Sequence, residues 1–277
     1  MKTLRYPLPA LRLSQKECKH ILDLVLKACL LKSAIARNYP HKVLFGSKQE
    51  GGLQKEDLYL TQGLSKIALL VEHIAAPTLT GELFQCSIEA AKVEVGIGRN
   101  LFGLDFNIYG GLCTDGIIKF IWEFAYSHRI GIEDNVTPNL TLQREGDLFL
   151  MEQIAEEDFS PSELQHINRC RIHLQVSTLS DIMEGHGTRI SRNALNCIFD
   201  SEREHTYQWP IQPRPHQRAR QLWKRALKKA FPRQLNSLDI QYTLGAWLNN
   251  YNLWKWYIQP DTRYLYRQCT DNQWTVF

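Results

Sequence analysis

Apolar residues recur at intervals of three and four along most of this chain, the spacing that aligns side chains on one face of an α-helix. Ser14 followed by Glu17 is a capping-box pattern and predicts a helix start just after the Pro7/Pro9 stretch. In that helix Cys18, Ile21, Leu22, Val25, Ala28 and Cys29 share an apolar face, and Lys16, Lys19, His20, Asp23 and Lys27 share the opposite one. Pro40 and Gly51-Gly52 punctuate an irregular or short extended stretch around Val43-Leu44-Phe45. A second helix is predicted from about Lys55 or Thr61 to Ala76, with Leu60, Leu64, Ile67, Ala68, Val71, Ile74 and Ala75 as its apolar positions and Pro77 as its stop. A third runs from Thr80 through Phe84, Ile88, Ala91 and Val95 to Gly96.

The five glycines between Gly96 and Gly111 predict a loop, after which Thr114 or Asp115 caps a helix carrying Ile118, Ile121, Trp122 and Ala125. Pro138 marks a break, and a further helix is expected over Glu145 to Glu157. Ser160, Pro161 and Glu163 together supply an N-cap, a first-position proline and a capping-box acid for a helix expected to reach about Glu184. Residues 200–216 read as a proline-containing linker. Beyond it Ala219, Leu222, Trp223, Ala226, Leu227, Ala230 and Phe231 form the cleanest amphipathic pattern in the chain, ended by Pro232. Aromatic and β-branched runs at Trp254–Ile258, Arg263–Arg267 and Gln273–Phe277, separated by Pro260-Asp261 and Asp271-Asn272, predict an antiparallel meander. The expected class is therefore mainly α, a helical bundle with a small C-terminal β meander. Its expected segments are 1–76, a basic helical part; 77–199, an acidic helical part; the linker 200–216; and 217–277, a basic helix with the meander.

Composition changes this picture little, charge a good deal. The chain has 277 residues, 44% hydrophobic and 22% charged, which excludes wholesale disorder and disulfide-scaffold classes. No apolar run approaches the ~20 residues of a membrane helix and no secretory signal is readable, so an intracellular protein of nucleus or cytoplasm, without a membrane partner, is expected. Seven cysteines at irregular spacing, with no CxxC, fit neither a disulfide framework nor a zinc ribbon and read as reduced, mostly buried thiols. The net charge of +4 hides three blocks. Met1 to Lys48 holds 10 Lys or Arg against two acids, residues 49–204 hold 12 against 24, and His205 to the end holds 11 against three. Basic ends thus flank an acidic middle.

From His205 to Leu238 there is no Asp or Glu, while, besides Arg233, Arg214, Arg218, Arg220, Lys224, Arg225, Lys228 and Lys229 accumulate. At 100° per residue the last six form one arc opposite the apolar face, a cationic ridge of the kind that binds phosphate backbones by counterion release. With Lys16, Lys19 and Lys27 of the first helix they are the candidate nucleic-acid contacts. Trp223 lies on the apolar side and is not a base-stacking platform. The competing reading docks both basic ends on the acidic middle, leaving a helical interaction protein with no patch for nucleic acid. His166, Cys170 and His173 sit at i, i+4 and i+7 of one helix; they lack a fourth zinc ligand and read as two exposed histidines beside a core cysteine, with metal chemistry as the alternative. Gly96-Ile97-Gly98 lacks the flanking strand and third glycine of a dinucleotide site, and the acid pairs Glu133-Asp134 and Glu157-Asp158 read as solvated helix ends. No cofactor or metal is expected.

Leu8-Pro9, Cys18, Pro40, Gly51-Gly52-Leu53, Leu58-Tyr59, Gln62-Gly63, Glu72-His73 and Thr80-Gly81 together resemble the segment that follows the polymerase palm in reverse transcriptases of non-LTR retrotransposons. The resemblance continues through Arg144-Glu145-Gly146-Asp147, Asn168-Arg169-Cys170-Arg171, Leu179-Ser180-Asp181-Ile182, Leu244-Gly245, Trp247, Trp254, Trp256 and Leu265-Tyr266, and so covers nearly the whole chain. Where the family typically reads Gly-Leu-Gly, this chain has Gly52-Leu53-Gln54. The resemblance implies that residues up to about 76 correspond to thumb helices that grip a primer-template duplex by its backbone. Polymerisation needs paired carboxylates holding two magnesium ions. This chain has no Asp-Asp dipeptide, so no catalytic residue carries over. The expectation is a non-catalytic C-terminal portion of an element protein, a truncated copy or an exon of a longer product. Its partners would be RNA, DNA or an RNA:DNA hybrid and a palm domain encoded upstream.

Overall fold

The computed structural model describes residues 7–33, 35–36, 39–133, 142, 144–184, 189–201, 212–232 and 244. These residues are mainly helical, with eleven α-helices. The expected meander, and 202–211 of the expected linker, lie outside them. The chain divides into two compact units, one up to Thr78 and one from Leu79 onward.

In the first unit α1 (Gln15–Lys32) starts where the capping box places it. Glu17 N–H donates to Ser14 Oγ at 3.2 Å and Ser14 N–H to the Glu17 carboxylate at 2.8 Å. The buried stripe is Cys18, Leu22, Leu26 and Leu30, one residue per four, whereas Ala28 and Cys29 are exposed. The expected face was therefore rotated: the two large leucines win the core over the small side chains because they bury more apolar area. Val43 to Phe45, expected to be irregular, belong to α2 (His41–Phe45), whose Leu44 packs into the Leu22/Leu26/Leu30 cluster. Gly52 runs against Gly46 so closely that a Cβ on it would lie 2.2 Å from the Gly46 backbone. Two residues on, Gln54 takes φ +49°, the left-handed region that glycine enters without strain.

Helix α3 (Leu58–His73), capped by Asp57, reverses the expected inside and outside. It buries Leu58, Gln62, Gly63, Lys66 and Leu70 and leaves Leu60, Leu64 and Val71 at 41%, 48% and 62% exposure. The physical reason is the backbone ahead of α1, whose polar groups need partners. Gln62 clasps Leu13, its Oε1 accepting the Leu13 N–H and its Nε2 donating to the Leu13 carbonyl, both at 3.0 Å. One turn later Lys66 Nζ donates to the Pro9 carbonyl at 2.7 Å.

The second unit is built on α4 (Leu79–Val95), buried over most of its length. The glycine-rich stretch that follows is not an open loop. It folds into a 3-10 turn at Leu101–Gly103, α5 (Phe106–Tyr109) and a 3-10 turn at Gly110–Leu112, with Asn100 and Asp105 side chains accepting the first N–H groups. Helix α6 (Ile117–His128) is preceded by Gly116 and has no side-chain cap. Thr114 is diverted by Glu94, which accepts both its N–H and its hydroxyl, and Asp115 instead pairs with Lys119 at 3.0 Å.

The helix expected over Glu145 to Glu157 shrinks to α7 (Leu150–Ala155), because Phe149 is taken by an antiparallel bridge to Thr178. Helix α8 (Pro161–Leu174) carries the full Ser160/Glu163 capping box, yet stops ten residues before Glu184. Gln175 turns left-handed at φ +55°, and residues 176–178 run extended beside 148–150. Short helices α9 (Leu179–Ile182) and α10 (Arg192–Leu195) follow, then α11 (Gln217–Ala230). Helix α11 belongs to this second unit and packs chiefly on α8.

A fully buried guanidinium joins these pieces. Arg171 Nε donates to Asn168 Oδ1 (2.6 Å), Nη1 to the Val176 carbonyl and Ser177 Oγ (both 3.1 Å), and Nη2 to the Val93 and Glu94 carbonyls (2.8 and 2.5 Å). Gly96, at φ +82°, leaves it room: a Cβ there would sit 2.8 Å from Arg171 Nε. Beside it, Asp147 accepts the Ser180 N–H and hydroxyl and Asp181 accepts the Ser177 and Thr178 N–H groups. The sequence landmarks at 144–147, 168–171 and 179–182 are thus largely parts of one buried polar scaffold.

Candidate nucleic-acid interface

Two surfaces carry the cations singled out in the sequence. On α1, Lys16, Lys19 and Lys27 are exposed, opposite the Cys18/Leu22/Leu26/Leu30 stripe, and among the described residues none has a carboxylate within ion-pair distance.

Helix α11 starts at His216, whose Nδ1 accepts the Ala219 N–H at 3.1 Å. Ala219, Leu222, Trp223, Ala226 and Leu227 are buried, and Trp223 Nε1 donates to the Ala194 carbonyl at 2.8 Å. That burial sets the rotation of the helix, turning Arg218, Arg225, Lys228 and Lys229 outward, with Arg220 and Lys224 half-buried at the flanks. Arg214, just ahead of the helix, is exposed.

The cations are not equivalent. Arg225 donates to Glu163 at 2.6 Å and Lys229 lies 3.3 Å from Glu157. Both also sit 5.3 Å from the centre of the Phe159 ring, a cation–π arrangement. Backbone donation from Ser160, together with Arg225, holds the Glu163 carboxyl below its usual range. Among the described residues, Arg214, Arg218, Lys224 and Lys228 have no carboxylate within 4 Å, and the buried Nε of Arg220 has no acceptor.

The His166/Cys170/His173 face does not converge. His173 is buried rather than exposed, because its Nδ1 is engaged with the Gln212 carbonyl at 2.9 Å. Cys170 is buried beside Cys197, and the two thiols interact. That contact and burial push Cys170 up, while the contact, together with Arg214 and Arg220, pulls Cys197 down. His166 turns the other way, onto His216 at 5.1 Å between ring centres. Among the described residues no three His, Cys, Asp or Glu side chains are grouped to hold a metal ion. Cys18, Cys86, Cys113, Cys170 and Cys197 are buried free thiols, Cys29 is exposed, and Cys269 lies outside the described residues.

Two participants were not singled out by sequence reasoning: Phe159 and His216. The Glu157-x-Phe159-x-x-x-Glu163 spacing around a helix start was a readable signal for the first. Histidine is not among the favoured N-cap residues, so the second had none. A cleft of about 270 Å³ lined by Leu174, Met183 and Ala194 also carries Asp181, Glu184 and Asp200, a charge that disfavours phosphate there. Among the described residues no helix is long and apolar enough to cross a membrane. No family model, curated protein or solved structure matches the chain.

Proposed function

We propose that this chain is a nucleic-acid-binding, non-catalytic portion of a retrotransposon reverse transcriptase-like protein, contacting the phosphate backbone of template or primer. The observation that carries the reading is the pair of surfaces on which lysines and arginines have no carboxylate among the described residues: the exposed Lys16, Lys19 and Lys27 on α1, and the exposed Arg214, Arg218 and Lys228 with the half-buried Lys224 around α11. Such charges gain most from displacing counterions along a polyphosphate. Gln54 supports the resemblance, since the position where the family has glycine takes a left-handed φ of +49°. With no Asp-Asp dipeptide in the sequence, the reading assigns no polymerase activity to this chain.

The measurement is binding of an RNA:DNA hybrid against salt. If about four phosphates are engaged, log affinity falls with log salt at a slope of about −4. Absent or salt-independent binding overturns the proposal. A second reading, a helical interaction module that neutralises its own blocks, is favoured by the Arg225–Glu163 and Lys229–Glu157 pairs. It predicts no hybrid binding.

A further inference from the structure

We infer that the phosphodiester backbone is seated at the N-terminal half of α11, between His166 and Arg169 of α8 and His216 and Arg218 of α11, and that a proton taken up by His166 accompanies binding. The inference rests on the nucleic-acid reading above and specifies where contact is made and how it is regulated.

Charge is unevenly distributed along the antiparallel α8/α11 pair. At one end Glu157 and Glu163 neutralise Lys229 and Arg225. Further along α8 the pattern changes. The His166 and His216 rings meet edge to face at 5.1 Å, with Arg169 and Arg218 exposed nearby. Among the described residues, every charged or titratable group that bears on His166, namely His216, Arg169 and Arg218, is a base. Among the described residues, the other elements packed on α8 bring no acid to it. Tyr109 of α5 faces Arg99, Glu152 and Glu156, and Glu152 of α7 is engaged by Arg99 at 3.6 Å and by the Gly98 N–H at 3.1 Å.

The polar atoms are arranged for an acceptor. Among the described residues, His166 Nδ1 is buried and lacks a hydrogen-bond partner, as does Arg220 Nε one turn beyond His216. Because His216 Nδ1 accepts the Ala219 N–H, its ring hydrogen is assigned to Nε2, a donor that the helix cap does not use. A phosphodiester is an anion with oxygen acceptors only, matching two imidazoles and two guanidinium groups. Burial and the three basic neighbours hold His166 below the usual histidine range in the free protein. An adjacent phosphate reverses that field and favours the imidazolium, so the bound state carries more protons and affinity rises as pH falls.

The test uses the full chain and an RNA:DNA hybrid, with folding of each variant checked by circular dichroism. Arg169 and Arg218 are exposed, so their removal spares the core. The R169A/R218A double variant is expected to reduce the magnitude of the salt slope by about two and to weaken binding by about eightfold per contact at 0.1 M salt. R225A/K229A is expected to change affinity less than about threefold, since those cations already have carboxylates. Between pH 7.5 and 6, wild-type affinity rises by up to about tenfold per unit, the limit for one proton, and the rise is absent in His166→Ala. Equal losses in the two double variants, or a pH rise that survives His166→Ala, overturn the inference while leaving the functional reading intact. No hybrid binding by the wild type overturns both. In a separate arm the His166 ring resonance is followed with inorganic phosphate alone. A response to phosphate together with hybrid affinity indifferent to R169A/R218A assigns the seat to a free anion and overturns the inference.

Discussion

Helices α3 and α11 solve the same problem in opposite ways. Helix α11 buries Ala219, Leu222, Trp223, Ala226 and Leu227 and turns its cations outward, as its pattern demands. Helix α3 also carries an apolar stripe at helical spacing, yet Leu60, Leu64 and Val71 face out while Gln62 and Lys66 go in. The difference lies in what each packs against. Helix α11 lies on side chains of α8, where transfer of apolar area decides the face. Helix α3 meets the peptide groups of Pro9 and Leu13, where an amide and an ammonium satisfy donors and acceptors that leucine would strand. Amphipathic period predicts that a helix forms. It predicts the buried face only when the neighbour is apolar.

The largest break in the comparison is expected from Trp223→Ala, which opens a cavity under α11 and removes the donor to the Ala194 carbonyl. Urea unfolding of this variant should show a loss of about 3–5 kcal/mol. Next comes Gln62→Ala, which leaves both backbone groups of Leu13 without their partner. A loss of about 2 kcal/mol is expected, against less than about 0.5 kcal/mol for Leu64→Ala on the outward stripe. If Leu64→Ala proves the costlier, the inverted face of α3 is wrong.

A smaller effect sharpens the same contrast through pH. Burial, with Arg12 nearby, pulls Lys66 down to about 8 from an ordinary 10.5. The fold therefore binds fewer protons than the unfolded chain between those values, and stability rises as pH climbs from about 8 to 10.5. Below 8 the residue is protonated in both states and contributes no slope. Thermal melts across this window should show the rise in wild type and not in Lys66→Met.

The two helix starts marked by capping boxes were the most legible part of the molecule. Ser14/Glu17 and Ser160/Pro161/Glu163 act through local hydrogen bonds that the sequence spells out. Helix α11 was legible because one strong face met an apolar neighbour. What was hidden depends on distant partners. No glycine or proline announces the end of α8 at Gln175; pairing of the extended residues 176–178 with residues 148–150 decides it. The unequal standing of the α11 cations was equally out of reach, since it follows from which of them the acids at 157 and 163 meet in space.

Arg171 has a consequence for how the second unit comes together. Its five N–H donors find acceptors on α8, on the end of α4 and on residues 176–177, three segments brought together only by the finished fold. A partly assembled intermediate would hold a sequestered ion with some donors idle, which penalises half-built forms relative to both the open chain and the complete one. The penalty makes assembly all-or-none, and a cut between residues 96 and 171 should cost the whole unit rather than one of its pieces.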